Sequence, residues 1–200
     1  MPARTYPITK IDTDQFTDLM MMQLKVCLER YLYLKHEYPA FRERPYSDND
    51  DFVIEYYDFY ALGASRKDFS NRRVVRTYFE MLKEGRDIDP TFLVEEFRQR
   101  LLPEIVIGDH ISFCSKLCHT VCDIVPIIDS RVKEYLSKVY CVEQTFQGVH
   151  DWYYTQDPEI REDQDQLLHW FRTNPQLQPY QEVGDIKAID SIIFIWHKYH

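Results

Sequence analysis

Apolar positions along this chain repeat almost everywhere with the 3.6-residue period of an amphipathic helix. From Thr13 to about His36, the residues Phe16, Leu19, Met20, Leu24, Cys27, Leu28, Tyr31 and Leu34 follow the i, i+3, i+4, i+7 rule, with Asp12 or Thr13 as N-cap. Pro39 and Pro45 predict a connection. Ser47-Asp48-Asn49-Asp50-Asp51 then predicts the start of a helix over Phe52 to about Leu62, stopped by Gly63. A third helix is expected over Asn71 to Lys83 before Gly85, and a fourth opens at Asp89-Pro90 and runs to about Leu102 before Pro103. Gly108-Asp109 precedes a fifth, His110 to about Cys122, and Asp129 or Ser130 caps a sixth, Arg131 to about Cys141.

Beyond Gly148 the pattern predicts a helix from about Pro158 to Arg172 and a turn region from Asn174 to Pro179. A closing helix, Ile186 to about Lys198, follows Asp185. Strand signals are poor; VIEYYDFY contains β-formers, but the cap before it and its acid spacing favour helix. With no internal repeat and no linker composition, the expected architecture is all-α, a single helical domain over 1–200. Within it, 13–103 hold the N-terminal helices, 108–141 a further helix pair and 185–198 the closing helix.

Composition changes this picture in two places. The 15 Tyr, 12 Phe and 3 Trp supply bulky apolar surface for a core of this size. The net charge of −9 argues against nucleic-acid binding through bulk positive charge. That charge is uneven: residues 1–100 carry 16 basic and 18 acidic side chains, residues 101–200 carry 8 and 15. Ser65 to Arg76 nevertheless holds five basic residues and one acid, whereas Glu143 to Asp165 holds seven acids and one Arg. No apolar run reaches the roughly 18 residues that span a bilayer, and the N-terminus shows no apolar signal segment. No membrane association is expected. An odd number of cysteines, five, beside that N-terminus leads to the expectation of reduced thiols and a cytoplasmic location.

The chemistry is densest between Gly108 and Leu136. Cys114, Cys118 and Cys122 share one face of the fifth helix, but a single straight helix cannot surround a tetrahedral ion, so they read as small hydrophobes and no metal site is expected. Lys116, His119, Thr120 and Asp123 fall within roughly 100° of arc on the other face. That face reads either as a solvated surface or as a lysine turned to a cleft. The apolar elbow Ile124 to Ile128 is short enough to swing Asp129, at the next helix start, toward Lys116; a lysine near a carboxylate supports amine nucleophilicity.

The run SKLCHTVCDIVPIIDSRVKEYL, Ser115 to Leu136, resembles the segment of the helix-hairpin-helix DNA glycosylase superfamily that carries its lysine and aspartate. It is similar also to uncharacterised bacterial proteins with an 8-oxoguanine-glycosylase-like fold, which show an SKLLH-type helix followed by a P-I-x-D-S-R-V-type turn. The closing segment GDIKAIDSIIFIWHK, Gly184 to Lys198, resembles their C-terminal helix. The resemblance implies a DNA-glycosylase-like helix arrangement. It implies also that Lys116 attacks the sugar C1′ to form a Schiff base while Asp129 stabilises oxocarbenium character. It covers about 45 residues of the chain. At the hairpin the chain offers Val106-Ile107-Gly108-Asp109, with one glycine, where the family has a glycine-rich turn for a DNA phosphate.

His119 and Arg131, close to that pair in sequence, are candidate substrate or DNA contacts together with Arg72, Arg73 and Arg76, which are spaced to meet one polyanion. The tyrosines of Tyr56 to Tyr60 and the run Trp152 to Tyr154 read as core rather than as base-stacking platforms. The chain has no P-loop, Rossmann glycine fingerprint, serine-hydrolase elbow or HExxH motif, and no cofactor is expected. Two readings follow: a base-excising or modified-base-binding protein with DNA as partner, and a non-catalytic helical module for a protein partner or a nucleotide-like ligand.

Overall fold

The computed structural model describes residues 9–62, 72–85, 89–101 and 110–200, the side chains of Arg98 and Leu101 excepted. Among them every regular element is helical: α1 Asp18–Glu43, α2 Asp51–Phe59, α3 Arg72–Glu84, α4 Pro90–Leu101, α5 Ile111–Val121, α6 Ser130–Tyr140, α7 Phe146–Tyr153, α8 Pro158–Thr173 and α9 Asp185–Tyr199, with short 3₁₀ turns at Thr13–Gln15 and Pro175–Tyr180. The all-α expectation holds over these residues. No described helix is long and apolar enough to cross a membrane. Gly63, Pro103 and Gly108-Asp109, read as stop and start signals, lie outside the described residues.

Most helix starts follow from local chemistry. Asp50 caps α2 by accepting the Phe52 N–H at 2.9 Å, and Asp157 caps α8 through the N–H groups of Glu159 and Ile160, at 2.9 and 3.3 Å. Asp89 caps α4 through Thr91 N–H at 2.8 Å and the Thr91 hydroxyl at 2.6 Å, bonds that hold its carboxyl below the ordinary aspartate range. Gly85 closes α3 with φ +59°, where a Cβ would meet the Arg42 guanidinium and the Tyr38 hydroxyl at 3.1 and 3.2 Å. At the end of α2 the left-handed residue is Ala61, φ 48°, two positions earlier than the expected glycine.

The chain divides into two compact units, Glu29–Ile127 and Met1–Leu28 with Ile128–His200. One boundary falls inside α1, where no change of composition could mark it. In the Glu29–Ile127 unit the core is a cluster of aromatic rings: Phe41 stacks on Phe52 at 4.3 Å, and Tyr56, Tyr78 and Phe79 close around them. Its buried hydroxyls are satisfied: Tyr78 donates to the Phe113 carbonyl at 2.8 Å, and Tyr56 lies 3.1 Å from the Thr120 hydroxyl. α1 continues through Pro39 to Glu43, where the sequence predicts a break. Phe41 is fully buried and Tyr38 donates to the Leu82 carbonyl at 2.8 Å. Those contacts offset the cost of proline inside a helix, about 3 kcal/mol.

In the other unit α9 packs against α6 and α8, burying Ile189, Ile192, Ile193, Ile195 and Trp196. Each such side chain contributes about 1.5–3 kcal/mol on leaving water. α7, absent from the sequence reading, is capped by the Thr145 hydroxyl accepting the Gly148 N–H at 3.0 Å.

Candidate functional site

α5 is buried on all sides over seven consecutive residues, Phe113 to His119, so its polar side chains are interior groups rather than a solvated face. Lys116 is 6% exposed. Its Nζ donates to the Tyr60 carbonyl at 3.2 Å and lies 5.3 Å from the Phe113 ring centre and 5.9 Å from that of Tyr60. The ammonium end is thus held at a fixed place by a carbonyl at the end of α2 and by two rings.

His119 is buried and fully engaged. Its Nδ1 lies 2.7 Å from the Val125 carbonyl, which can only accept, so Nδ1 carries the proton. In the Nδ1–H tautomer Nε2 is the acceptor facing the Tyr31 hydroxyl, 3.2 Å away. Through these two bonds His119 fixes the elbow after α5 to α1. Asp123, grouped with Lys116 in the sequence, instead pairs with Lys35 at 3.1 Å near the surface. Cys114 and Cys118 are buried and Cys122 is half-buried. The chain's five cysteines form no disulfide, and among the described residues no cluster of three or more His, Cys, Asp or Glu is placed to hold a metal.

Asp129 is the N-cap of α6: its Oδ1 accepts the Arg131 N–H at 2.9 Å, which leaves Oδ2 for another partner. The Arg131 guanidinium lies 4.6 Å from the Phe194 ring centre, tying α6 to α9. Lys116 belongs to the Glu29–Ile127 unit, and Asp129 and Arg131 to the other.

Arg72, Arg73 and Arg76 lie on the first turns of α3. They share a cavity of about 510 Å³ with Tyr46, Ser47 and Asp48. Arg76 pairs with Glu80 at 2.8 Å along the same helix. The rest of the cationic run, Ser65 to Asn71 with Arg66 and Lys67, lies outside the described residues.

Sequence reasoning missed the most deeply buried ion pair among the described residues. Lys187 Nζ and Asp190 Oδ2 are 2.6 Å apart on α9, their side chains 6% and 5% exposed. Tyr153 on α7 feels that pair: burial first, and the Asp190 charge second, push its phenol well above the usual tyrosine range. The signal lies in IKAIDSIIFIW, where opposite charges three residues apart interrupt an otherwise apolar run. The chain matches no protein-family model, no curated protein and no solved structure.

Proposed function

We propose that this chain is a DNA-glycosylase-like helical protein that acts on or binds a modified or displaced base, with Lys116 as nucleophile and Asp129 as its carboxylate partner. The observation that carries the reading is the setting of Lys116: a lysine withdrawn from water and oriented by one carbonyl and two rings. Schiff-base enzymes draw on such lysines, because a desolvated amine keeps its lone pair more readily.

In the reaction the Nζ lone pair forms a bond to the sugar C1′, and the C1′–N bond to the base breaks with its electron pair leaving on the base, which takes up a proton. Opening of the sugar ring then gives an imine between C1′ and Nζ. The Oδ2 of Asp129, the oxygen not used for capping, supplies negative charge to the oxocarbenium-like sugar. Arg72, Arg73 and Arg76 supply phosphate contacts, confined to one patch on an acidic chain, so binding falls steeply with salt.

One observation favours the second reading, a non-catalytic module binding a protein partner or nucleotide-like ligand. The same carbonyl and rings also satisfy a permanently charged ammonium, a purely structural arrangement. Borohydride trapping separates the two. Duplex oligonucleotides carrying an abasic site or 8-oxoguanine are incubated with the full chain and sodium borohydride, which reduces an imine to a stable amine. The catalytic reading expects a covalent adduct that Lys116→Met abolishes. No adduct across the panel, with no DNA affinity at low salt, overturns it and leaves the module.

A further inference from the structure

The α3 arginines are exposed and line one cavity. The cavity they line adjoins a second one of about 540 Å³, and the two share Asp48 and Arg72 as common walls. Both volumes fall in the range typical of small-molecule sites, about 300–1,000 Å³. The second cavity has a different character: its apolar floor comes from Val53, Ile54 and Tyr57 of α2 and Val75 of α3. Ile54 is 53% exposed there, a large apolar side chain left in water beside a cluster of guanidinium groups.

The carboxylates around this groove already have partners. Asp58 pairs with Arg30 at 2.7 Å, Glu80 with Arg76 at 2.8 Å, and Asp48 accepts the Tyr46 hydroxyl at 2.6 Å. Arg72, at the junction of the two cavities, makes no ion pair with any described residue. It is also the first residue of a 13-residue helix whose first turn carries no acid, so the helix dipole adds to its charge.

We propose that this groove binds one nucleotide unit, its phosphate on Arg72, Arg73 and Arg76 and its base on the apolar floor of Val53, Ile54, Tyr57 and Val75. Planar guanidinium groups match phosphate oxygens in pairs, and a base face suits a floor of branched side chains and a tyrosine ring. Asp48, between the two halves, is the acceptor for a sugar hydroxyl or a base amino group. The inference rests on the reading of the three arginines as phosphate contacts and deepens it; it does not depend on chemistry at Lys116.

The test is a titration of the ¹⁵N-labelled full chain with deoxyadenosine monophosphate, deoxyadenosine, inorganic phosphate and a short single-stranded oligodeoxynucleotide, followed by amide shifts. Deoxyadenosine monophosphate is expected to move the amides of 46–48, 53–58 and 72–76, and to bind about tenfold or more tighter than deoxyadenosine or phosphate. Arg72→Gln and Ile54→Asp, both at exposed positions, are each expected to weaken it about tenfold while leaving the circular dichroism spectrum intact. An oligonucleotide that outcompetes the mononucleotide makes the natural ligand a strand; equal affinity makes it a free nucleotide. Phosphate binding as well as the nucleotide, shifts confined to other residues, or no binding at all overturns the assignment. Lys116→Met is expected to bind the nucleotide like wild type, so failure of trapping and failure of this site are read separately.

Discussion

Lys187 and Asp190 face each other one turn apart on α9, Nζ to Oδ2 at 2.6 Å, almost wholly removed from water. A buried pair adds little over well-packed apolar residues, but removing one partner strands the other charge. Asp190→Asn or Lys187→Met is expected to cost about 3–5 kcal/mol each in urea unfolding. The double variant is expected to cost less than the two losses added, with a coupling of about 0.5–3 kcal/mol. Additive losses would show that the 2.6 Å contact carries no energy of its own.

His119 makes a sharper expectation about protonation. Because the Val125 carbonyl fixes the proton on Nδ1, long-range ¹⁵N–¹H correlations are expected to report the Nδ1–H tautomer at neutral pH. Tyr31→Phe removes the hydroxyl facing Nε2 and leaves a buried acceptor without that donor, at a cost of about 1–3 kcal/mol. A ring without the Nδ1–H would mean that it does not anchor the elbow as described.

Asp129 has two separable duties, capping α6 and supplying charge. Asparagine caps as well as aspartate, whereas alanine loses about 1 kcal/mol at such a position. Asp129→Asn is therefore expected to unfold within a few tenths of a kcal/mol of wild type while losing borohydride-trapped adduct, and Asp129→Ala to lose both. Full trapping by Asp129→Asn would remove the carboxylate from the proposed chemistry.

Helix starts at Asp50 and Asp89 were legible because capping is decided within three residues of sequence. The continuation of α1 through Pro39 was not, because Phe41 and Tyr38 find their partners in Phe52 and Leu82, far along the chain. The site divides in the same manner. Helical spacing grouped Lys116 with His119, but it assigned them to a solvated face or a cleft; burial of α5 on all sides is a tertiary outcome invisible within one helix's own sequence. The arginine trio was legible as charge alone. Its apolar neighbour was not, since Ile54 and Tyr57 join it only where α2 and α3 line one groove.

Alkali gives a further test. Tyr56, Tyr78 and Tyr153 are pushed well above the usual range by burial, and Tyr135 up to about 12 for the same reason. A phenol whose folded value is raised binds its proton more tightly in the fold, so its contribution is complete below about pH 10 and is lost as pH rises through the folded values. Tyrosinate absorbance at these residues is expected to appear together with loss of helix above about pH 10, not before it. Ionisation of all 15 tyrosines with the helical signal intact would contradict their burial.

Gly148 sits in the first turns of α7, where the backbone of the preceding loop comes too near for a side chain. A Cβ there would stand well inside van der Waals contact with the Glu143 carbonyl oxygen and 3.1 Å from its carbon. Both are backbone atoms, so relief requires moving the loop or tilting α7, which carries the buried Trp152 and Tyr153. Gly148→Ala raises intrinsic helix propensity by about 1 kcal/mol, yet the clash is expected to outweigh it and leave a net loss of about 1–3 kcal/mol. Thermal unfolding followed by circular dichroism reads the sign directly: a lowered midpoint fits the close approach, and a raised one would show that Glu143 and α7 stand farther apart.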